Sequence, residues 1–334
     1  MEGVYNKALA DGAHTEGANN INSGYVTHAE GEGNNISVNQ AHVEGQSNTV
    51  NGSAHYSHTE GRSNAVNGKT SHTEGSGNTV SSELAHVEGT NNTVSGEKAH
   101  VEGESHTVTG STGHTEGSGN TNKGWASHVE GQANTVETNQ SHVEGAGNKA
   151  LGNAHYAHIE GQNNANVTGK LAHVEGTAHV AVSGETAHVE GMGHTVTGSA
   201  THTEGNGNTN KGWASHVEGD KNTVEANQAH AEGGNNTLTN TAHFGHVEGR
   251  YNTVSGYAAH ASGLGTRATA EAQTAIGKYN AENADALFIV GKGTGDTTDK
   301  RSNAFMVDKY GNAHVTGALY IGGVRVEPLG TTTF

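Results

Sequence analysis

The sequence predicts an all-β chain wound as a parallel β-solenoid. Three observations carry this reading. The tetrapeptide His-x-Glu-Gly recurs 17 times in 334 residues, its His spaced 14 apart almost everywhere and 15 or 16 occasionally. Within each copy polar and apolar residues alternate with period two, as a strand with two unlike faces requires. The chain also lacks the material of an ordinary core, with 31% hydrophobic residues, 4% aromatics and 51 Gly, the last about twice average usage.

Each unit reads roughly S/A-H-x-E-G-x-x-N-T-V-x-G-x-x. In H-x-E the x is Val, Thr, Ala or Ile, so this segment is one short strand and N-T-V-x is a second. Glycines fall where tight corners are needed, since Gly alone reaches positive φ without steric cost. Two strands and two turns make one coil. The 20 coil phases, counted from before Met1 through Thr274, stack to roughly 95 Å at about 4.8 Å per layer. So thin a roll has little core and needs partners to bury its remaining apolar face. The array opens in mid-repeat at Glu2-Gly3, as an excerpt of a longer array would.

Composition narrows the function classes. With no Cys, a disulfide scaffold and a zinc–thiolate site are excluded. No run of about 18 apolar residues is present to span a membrane. The opening MEGVYNKALADG has neither the basic start nor the apolar run of a signal peptide. A formal charge of −17 argues against nucleic acid as partner. That charge counts His as neutral; protonating the 17 motif His would bring it to about zero, so it does not describe an acidic surface.

Fourteen residues after the degenerate copy HASG at His260 comes Thr274-Ala275-Ile276-Gly277, so T-A-I-G occupies the H-x-E-G phase. On this motif and the 14-residue period, the chain resembles the heads of trimeric autotransporter adhesins (YadA-like), whose coils carry S-V-A-I-G. Its HxEG repeats, and the run NADALFIVGKGTGDTTDKRSNAFMVDKYGNAHVTGALYIGG, are similar to tail-fibre and tail-spike proteins of bacteriophages and of prophages in Gram-positive bacteria. The resemblance covers nearly the whole chain. It implies a left-handed parallel β-roll, homotrimeric, in a virion structural protein that binds a host receptor. The implied partners are other tail or baseplate proteins and a bacterial cell-surface receptor, a glycan among the candidates. The implied location is the virion tail, an extracellular particle assembled in the host cytoplasm. The alternative is the head of a bacterial surface adhesin excised from its anchor, at the cell surface. A signal peptide, coiled-coil stalk and membrane β-barrel are not seen in the sequence, which favours the phage reading.

Residues 1–280 read as the roll and 281–334 as a C-terminal β-meander. Ala286–Val290, Ala304–Val307 and Ala313–Ile321 are strand-like, separated by turn clusters at Gly291–Arg301 and Lys309–Asn312. A meander this small is not stable alone; three copies interlocked as a β-prism would cap the open ends of the rolls. Pro328 and the polar tail read as an exit from regular structure.

The motif itself is the first candidate site. His and Glu of H-x-E share one face of the strand and x takes the other. Ile276 in the Glu phase suggests that His and Glu point into the roll, leaving the small x residues to face neighbouring chains. Glu stacked at about 4.8 Å repel in low dielectric, and one His per Glu is the remedy. The pairs His42–Glu44, His86–Glu88, His128–Glu130 and His216–Glu218 are representative rungs of this structural ladder. His106, His179 and His194, in the usual Asn phase, read as variation on the ladder. If pairing raises His pKa values and lowers those of Glu, stability peaks on the mildly acidic side of neutral. Metal binding is the sharper alternative, but a metal site occurs once or twice and this motif fills every coil, so no metal and no cofactor is expected. Uniform repetition offers no unique cleft and no nucleophile paired with a base, so no catalytic residue and no enzyme is expected.

A longer period lies over the short one. The segment from His114 nearly recurs from His202, with a weaker copy from His14, at offsets of 88 and 100. Each copy carries an aromatic in one slot (Tyr25, Trp125, Trp213) and a two-residue insertion bearing a second (Tyr56, Tyr156, Phe244). Aromatics are scarce here, and turns of a solenoid face outward. These six residues are therefore the candidates for receptor contact.

Overall fold

A computed structural model describes residues 1–326. Pro328 and the tail beyond lie outside the described residues. The chain divides into two units, Met1–Ala181 and Val182 onward. Both are parallel β-solenoids, and among the described residues the one helical element is a single 3₁₀ turn, Thr298–Lys300.

One coil, His86–Ala99, stands for the rest. His86–Thr90 is the long strand and Thr93–Val94 the short one. Both pair in parallel with their counterparts in the next coil, His86 over His100, Glu88 over Glu102, Gly89 over Gly103 and Val94 over Val108. The first unit holds twelve long strands, from His14–Ala18 to His173–Thr177, and the second holds seven, from His188–Met192 to Thr274–Lys278. In-register stacking follows from the sequence, since each residue type meets its own kind one coil away.

The inward residues of this coil are Val87, Asn92, Val94, Gly96 and Ala99, while His86 and Glu88 lie on the outer face, half exposed. This corrects the expected orientation. The x residues fill the roll, Val43, Val87, Val129 and Val217 being fully buried in their own chain, and are not available to a neighbour. The reason is volume. Two sheets packed face to face leave about 10 Å between backbones, which Val facing Val and Asn fills. A rank of His and Glu is too bulky and too costly to desolvate there. Each buried Val contributes about 2 kcal/mol of transfer free energy.

Two features let the coil close in 14 residues. Gly89 has φ +115°, and a Cβ there would lie 2.0 Å from the carbonyl oxygen of Gly103. The motif Gly is thus required both by its backbone angle and by the close approach of the coil above. The two turns place Asn91 and Lys98 in the left-handed region, at φ 56° and 59°. Side chains there are strained, and each such turn is held by a bond from the coil below: Asn91 N–H donates to Ser76 O and Lys98 N–H to Glu83 O, both at 2.9 Å.

Departures from 14 have local consequences. The 16-residue coils absorb their insertions in the second turn, where Tyr56, Tyr156 and Phe244 take the left-handed position. In the 15-residue coil from His158 no regular short strand forms; Val167 bridges singly to Ala150 and is fully buried.

In the second unit the roll ends by a change of pairing. Ala286–Lys292, read from sequence as the first strand of the meander, pairs in parallel with Thr274–Lys278, and Phe288-Ile289-Val290-Gly291 takes the H-x-E-G phase. The antiparallel part begins with Asn303–Asp308, which pairs with Ala286–Lys292, and continues with Ala313–Val315. Turning antiparallel stops further parallel addition at the edge. Arg301 locks this end: its buried guanidinium donates to Gly265 O at 2.9 Å and Asn280 O at 3.0 Å, and pairs with Asp296. The last described element is a separate hairpin, Leu319–Ile321 with Val324–Val326.

Candidate functional site

Three columns of side chains run along the coils. The innermost is made of Asn. Asn134 Nδ2 donates to Glu130 O at 2.8 Å and to Gly145 O of the coil above at 2.9 Å. Its own N–H donates to Asn120 Oδ1 at 2.8 Å, and its Oδ1 accepts from Asn148 N–H at 2.9 Å. Each Asn thereby satisfies backbone groups at the corner where the strand ends, and the coils are stitched together at full burial. His106 and His194 do the same work. His106 Nε2 donates to Glu102 O at 3.0 Å and Nδ1 accepts from Asn120 N–H at 3.1 Å; His194 repeats this with Glu190 O and Asn208 N–H. His179 Nε2 likewise donates to Glu175 O. Burial pushes the His106 and His194 imidazoles below their usual pKa, consistent with a neutral ring whose Nδ1 accepts.

The second column is the His–Glu rail on the outer face. Successive imidazoles lie 4.7–5.1 Å apart, most of them stacked or tilted, with edge-on pairs at His14–His28 and His230–His246. His42–Glu44 and His86–Glu88 close to 2.7 Å and His216–Glu218 to 2.6 Å, whereas His128–Glu130 stands at 3.5 Å. Other rungs open to 4.0 Å, as at His58–Glu60. The rail is therefore an alternation of closed and open pairs, half in solvent. His58, His142 and His246 are held below the usual imidazole pKa, first by partial desolvation and then by the His above and below. Glu102 and Glu248 lie below the usual carboxylate range, chiefly through hydrogen bonds from His100 and Ser262. The expectation that pairing raises His is not met at these three rungs: partial desolvation, joined by the His neighbours on both sides, outweighs the Glu.

At two places the rail brings three ligand atoms within 4.8 Å of one another, His14, Glu16 and His28, and His72, His86 and Glu88. The rings of His72 and His86 are nearly parallel, 10° apart, so their lone pairs run side by side; those of His14 and His28 stand at 77°.

The third column runs over the second turn and holds the aromatic candidates. Tyr25, Tyr56, Trp125, Tyr156, Trp213 and Phe244 are all about half exposed. The hydrogen bonds around them repeat. Tyr25 N–H donates to Asn39 Oδ1 and Asn39 N–H to His55 Nδ1. Trp125, Asn139 and His155 make the same two bonds, and so do Trp213, Asn227 and His243. Sequence reasoning singled out the aromatics and missed the Asn between them. Its signal was present, an Asn-Gln pair 14 residues after each first aromatic. Comparison with protein-family models and with curated proteins gives no match for this chain.

Proposed function

We propose that this chain is a structural, non-enzymatic fibre protein of a phage tail or phage-like particle, acting as a homotrimer that attaches the particle to a host-cell surface. One observation carries the reading: a solenoid whose backbone is satisfied from coil to coil by its Asn column presents the same exposed aromatic arrangement at three levels. A scaffold bearing repeated contact points is what multivalent attachment needs. Trimerisation draws support from the C-terminal hairpin. Leu319, Tyr320, Ile321, Val324 and Val326 are all exposed, and the hairpin pairs with no other strand among the described residues. A lone two-stranded hairpin is marginal in water, and three copies interlocked would cover these side chains.

Light scattering on the purified chain is expected to give three times 34.2 kDa. A monomer at micromolar concentration overturns the trimer. Gold-labelled antibody against the chain is expected to decorate the tails of phage-like particles. The adhesin-head reading is favoured by Thr274–Lys278, where T-A-I-G stacks in phase on the degenerate HASG coil that itself stacks on the HxEG coil of His246; labelling of the cell envelope instead of particles would select it.

A further inference from the structure

We propose that the second-turn column is a carbohydrate-binding site, built three times in one chain, that takes a neutral linear glycan lying along the coil axis. The inference deepens the attachment reading and rests on it for its setting.

Read upward, the first level is Tyr25, Asn39, His55, Lys69; the second is Trp125, Asn139, His155, Lys170; the third is Trp213, Asn227, His243, Tyr257. The coil-to-coil bonds fix this order, Gln40 N–H donating to Tyr25 O, Tyr56 N–H to Asn39 O and Thr70 N–H to His55 O, with equivalents at the other two levels. Beside each column stands a second one carrying Gln40 and Tyr56, Gln140 and Tyr156, or Gln228 and Phe244. At the first level Asn39, Gln40, His55, Tyr56 and Lys69 line a surface recess of about 250 Å³. Four rungs at strand spacing span roughly 14 Å, enough for a short oligosaccharide.

The chemistry of the rungs selects the ligand. Each Asn spends its Oδ1 and its N–H within the column, leaving the Nδ2 amide donors. Each of these His accepts at Nδ1, which places its proton on Nε2 and makes that atom a donor. A row of donors is thus framed by two aromatic rings, one at the bottom rung and one beside the third. Aromatic rings stack on the apolar faces of sugar rings, and amide and imidazole donors suit hydroxyl oxygens. The internal bonds also hold the donors in place before ligand arrives, which lowers the ordering cost of binding.

Charge argues for a neutral ligand over a polyanion. Lys69 and Lys170 have no counterpart in the third level, where Tyr257 packs edge-on against Phe244 with ring centres 5.4 Å apart. The rung above Lys69 is Glu83 and the rung above Tyr257 is Glu271, so the column carries no net positive run.

The test uses the full chain and a panel of neutral linear hexasaccharides of cello-, manno- and chito-type, followed by calorimetry and tryptophan fluorescence. At least one member is expected to bind saturably, with a stoichiometry of three per chain and a change in tryptophan emission. The combined variant Tyr25→Ala, Trp125→Ala, Trp213→Ala is expected to weaken that binding at least about tenfold. His55→Ala, His155→Ala, His243→Ala is expected to weaken it while both tryptophans remain, with the circular dichroism and melting point of each variant showing the roll intact. If a combined variant does not fold, the three single-level variants are each expected to lower the stoichiometry by one. No binding by any panel member at millimolar concentration overturns the inference, as does binding that survives both variants, or a preference for hyaluronan or poly(glycerol phosphate) over every neutral sugar. Particles that still attach to cells when the chain binds no sugar leave the attachment reading standing and sink only this one. Sugar binding by a chain that labels no particle or cell surface does the reverse.

Discussion

The Asn column and the His–Glu rail are both ladders with one rung per coil, yet they are different kinds of structure. Asn134 is fully buried, and its side chain bonds three backbone groups at 2.8–2.9 Å. Its neighbour on the outer face, the pair His128–Glu130, is half in water at 3.5 Å. Along the chain every Asn bond stays within hydrogen-bond distance, from 2.6 to 3.3 Å, whereas the rail ranges from 2.6 to 4.0 Å. A rung with buried, obligatory partners is fixed; one that can trade its partner for water is not. The most repeated motif in the sequence is thus not the one that binds the coils together. Its Gly and its x residue do that work, with the Asn, while His and Glu decorate the surface.

The sharpest way to break this contrast is at the motif Gly. Gly89→Ala would set a methyl 2.0 Å from the Gly103 carbonyl oxygen at φ +115°. A loss of about 3 kcal/mol or more is expected, read as a lower denaturant midpoint; an unchanged midpoint would mean that coils slide apart freely. Next comes the Asn column. Asn134→Ala orphans a buried N–H and two carbonyls and is expected to cost about 2–3 kcal/mol. Asn134→His is expected to cost much less, because His106 and His194 already fill that role, and an equal loss for both variants would contradict the equivalence.

The pH dependence sharpens the contrast further. A His whose folded pKa lies below its unfolded value, near 6.5, contributes stability that is present above that value and lost as pH falls through the folded one. His58, His142 and His246 on the rail, and His106 and His194 in the buried column, share that direction. Glu102 and Glu248, also lowered, act in the same sense at lower pH. The melting point is therefore expected to be flat above about pH 7 and to fall steadily below pH 6.5, instead of peaking on the acid side of neutral. A maximum near pH 6 would restore the His–Glu pairing as the dominant effect. The smallest change is expected from the rail itself. Glu88→Gln opens a 2.7 Å pair in a half-exposed place and should cost about 0.5 kcal/mol, diminishing with salt.

Sequence by itself determined the coil. The 14-residue period, the alternation within H-x-E and N-T-V, and the Gly phase suffice to set two short strands, two turns and in-register parallel stacking, because a period-two strand repeated without slippage has one self-consistent pairing. The insertions before Tyr56, Tyr156 and Phe244 were legible for the same reason, as was the placing of His106 and His194 in the Asn phase, though not the bonds they make there. What only the tertiary structure decided is which face turns inward. Periodicity separates His and Glu from x and leaves the choice between them open; the roughly 10 Å between the two sheets makes it, admitting Val and Asn and excluding the imidazole–carboxylate pairs. The end of the roll was settled in the same way. Ala286–Lys292 reads as a strand in either direction, and its parallel pairing with Thr274–Lys278 depends on Ile289 filling the last interior layer. The Asn-to-His relay behind the aromatics likewise joins residues 14 and 16 apart, and it becomes a single column only once the coils are stacked.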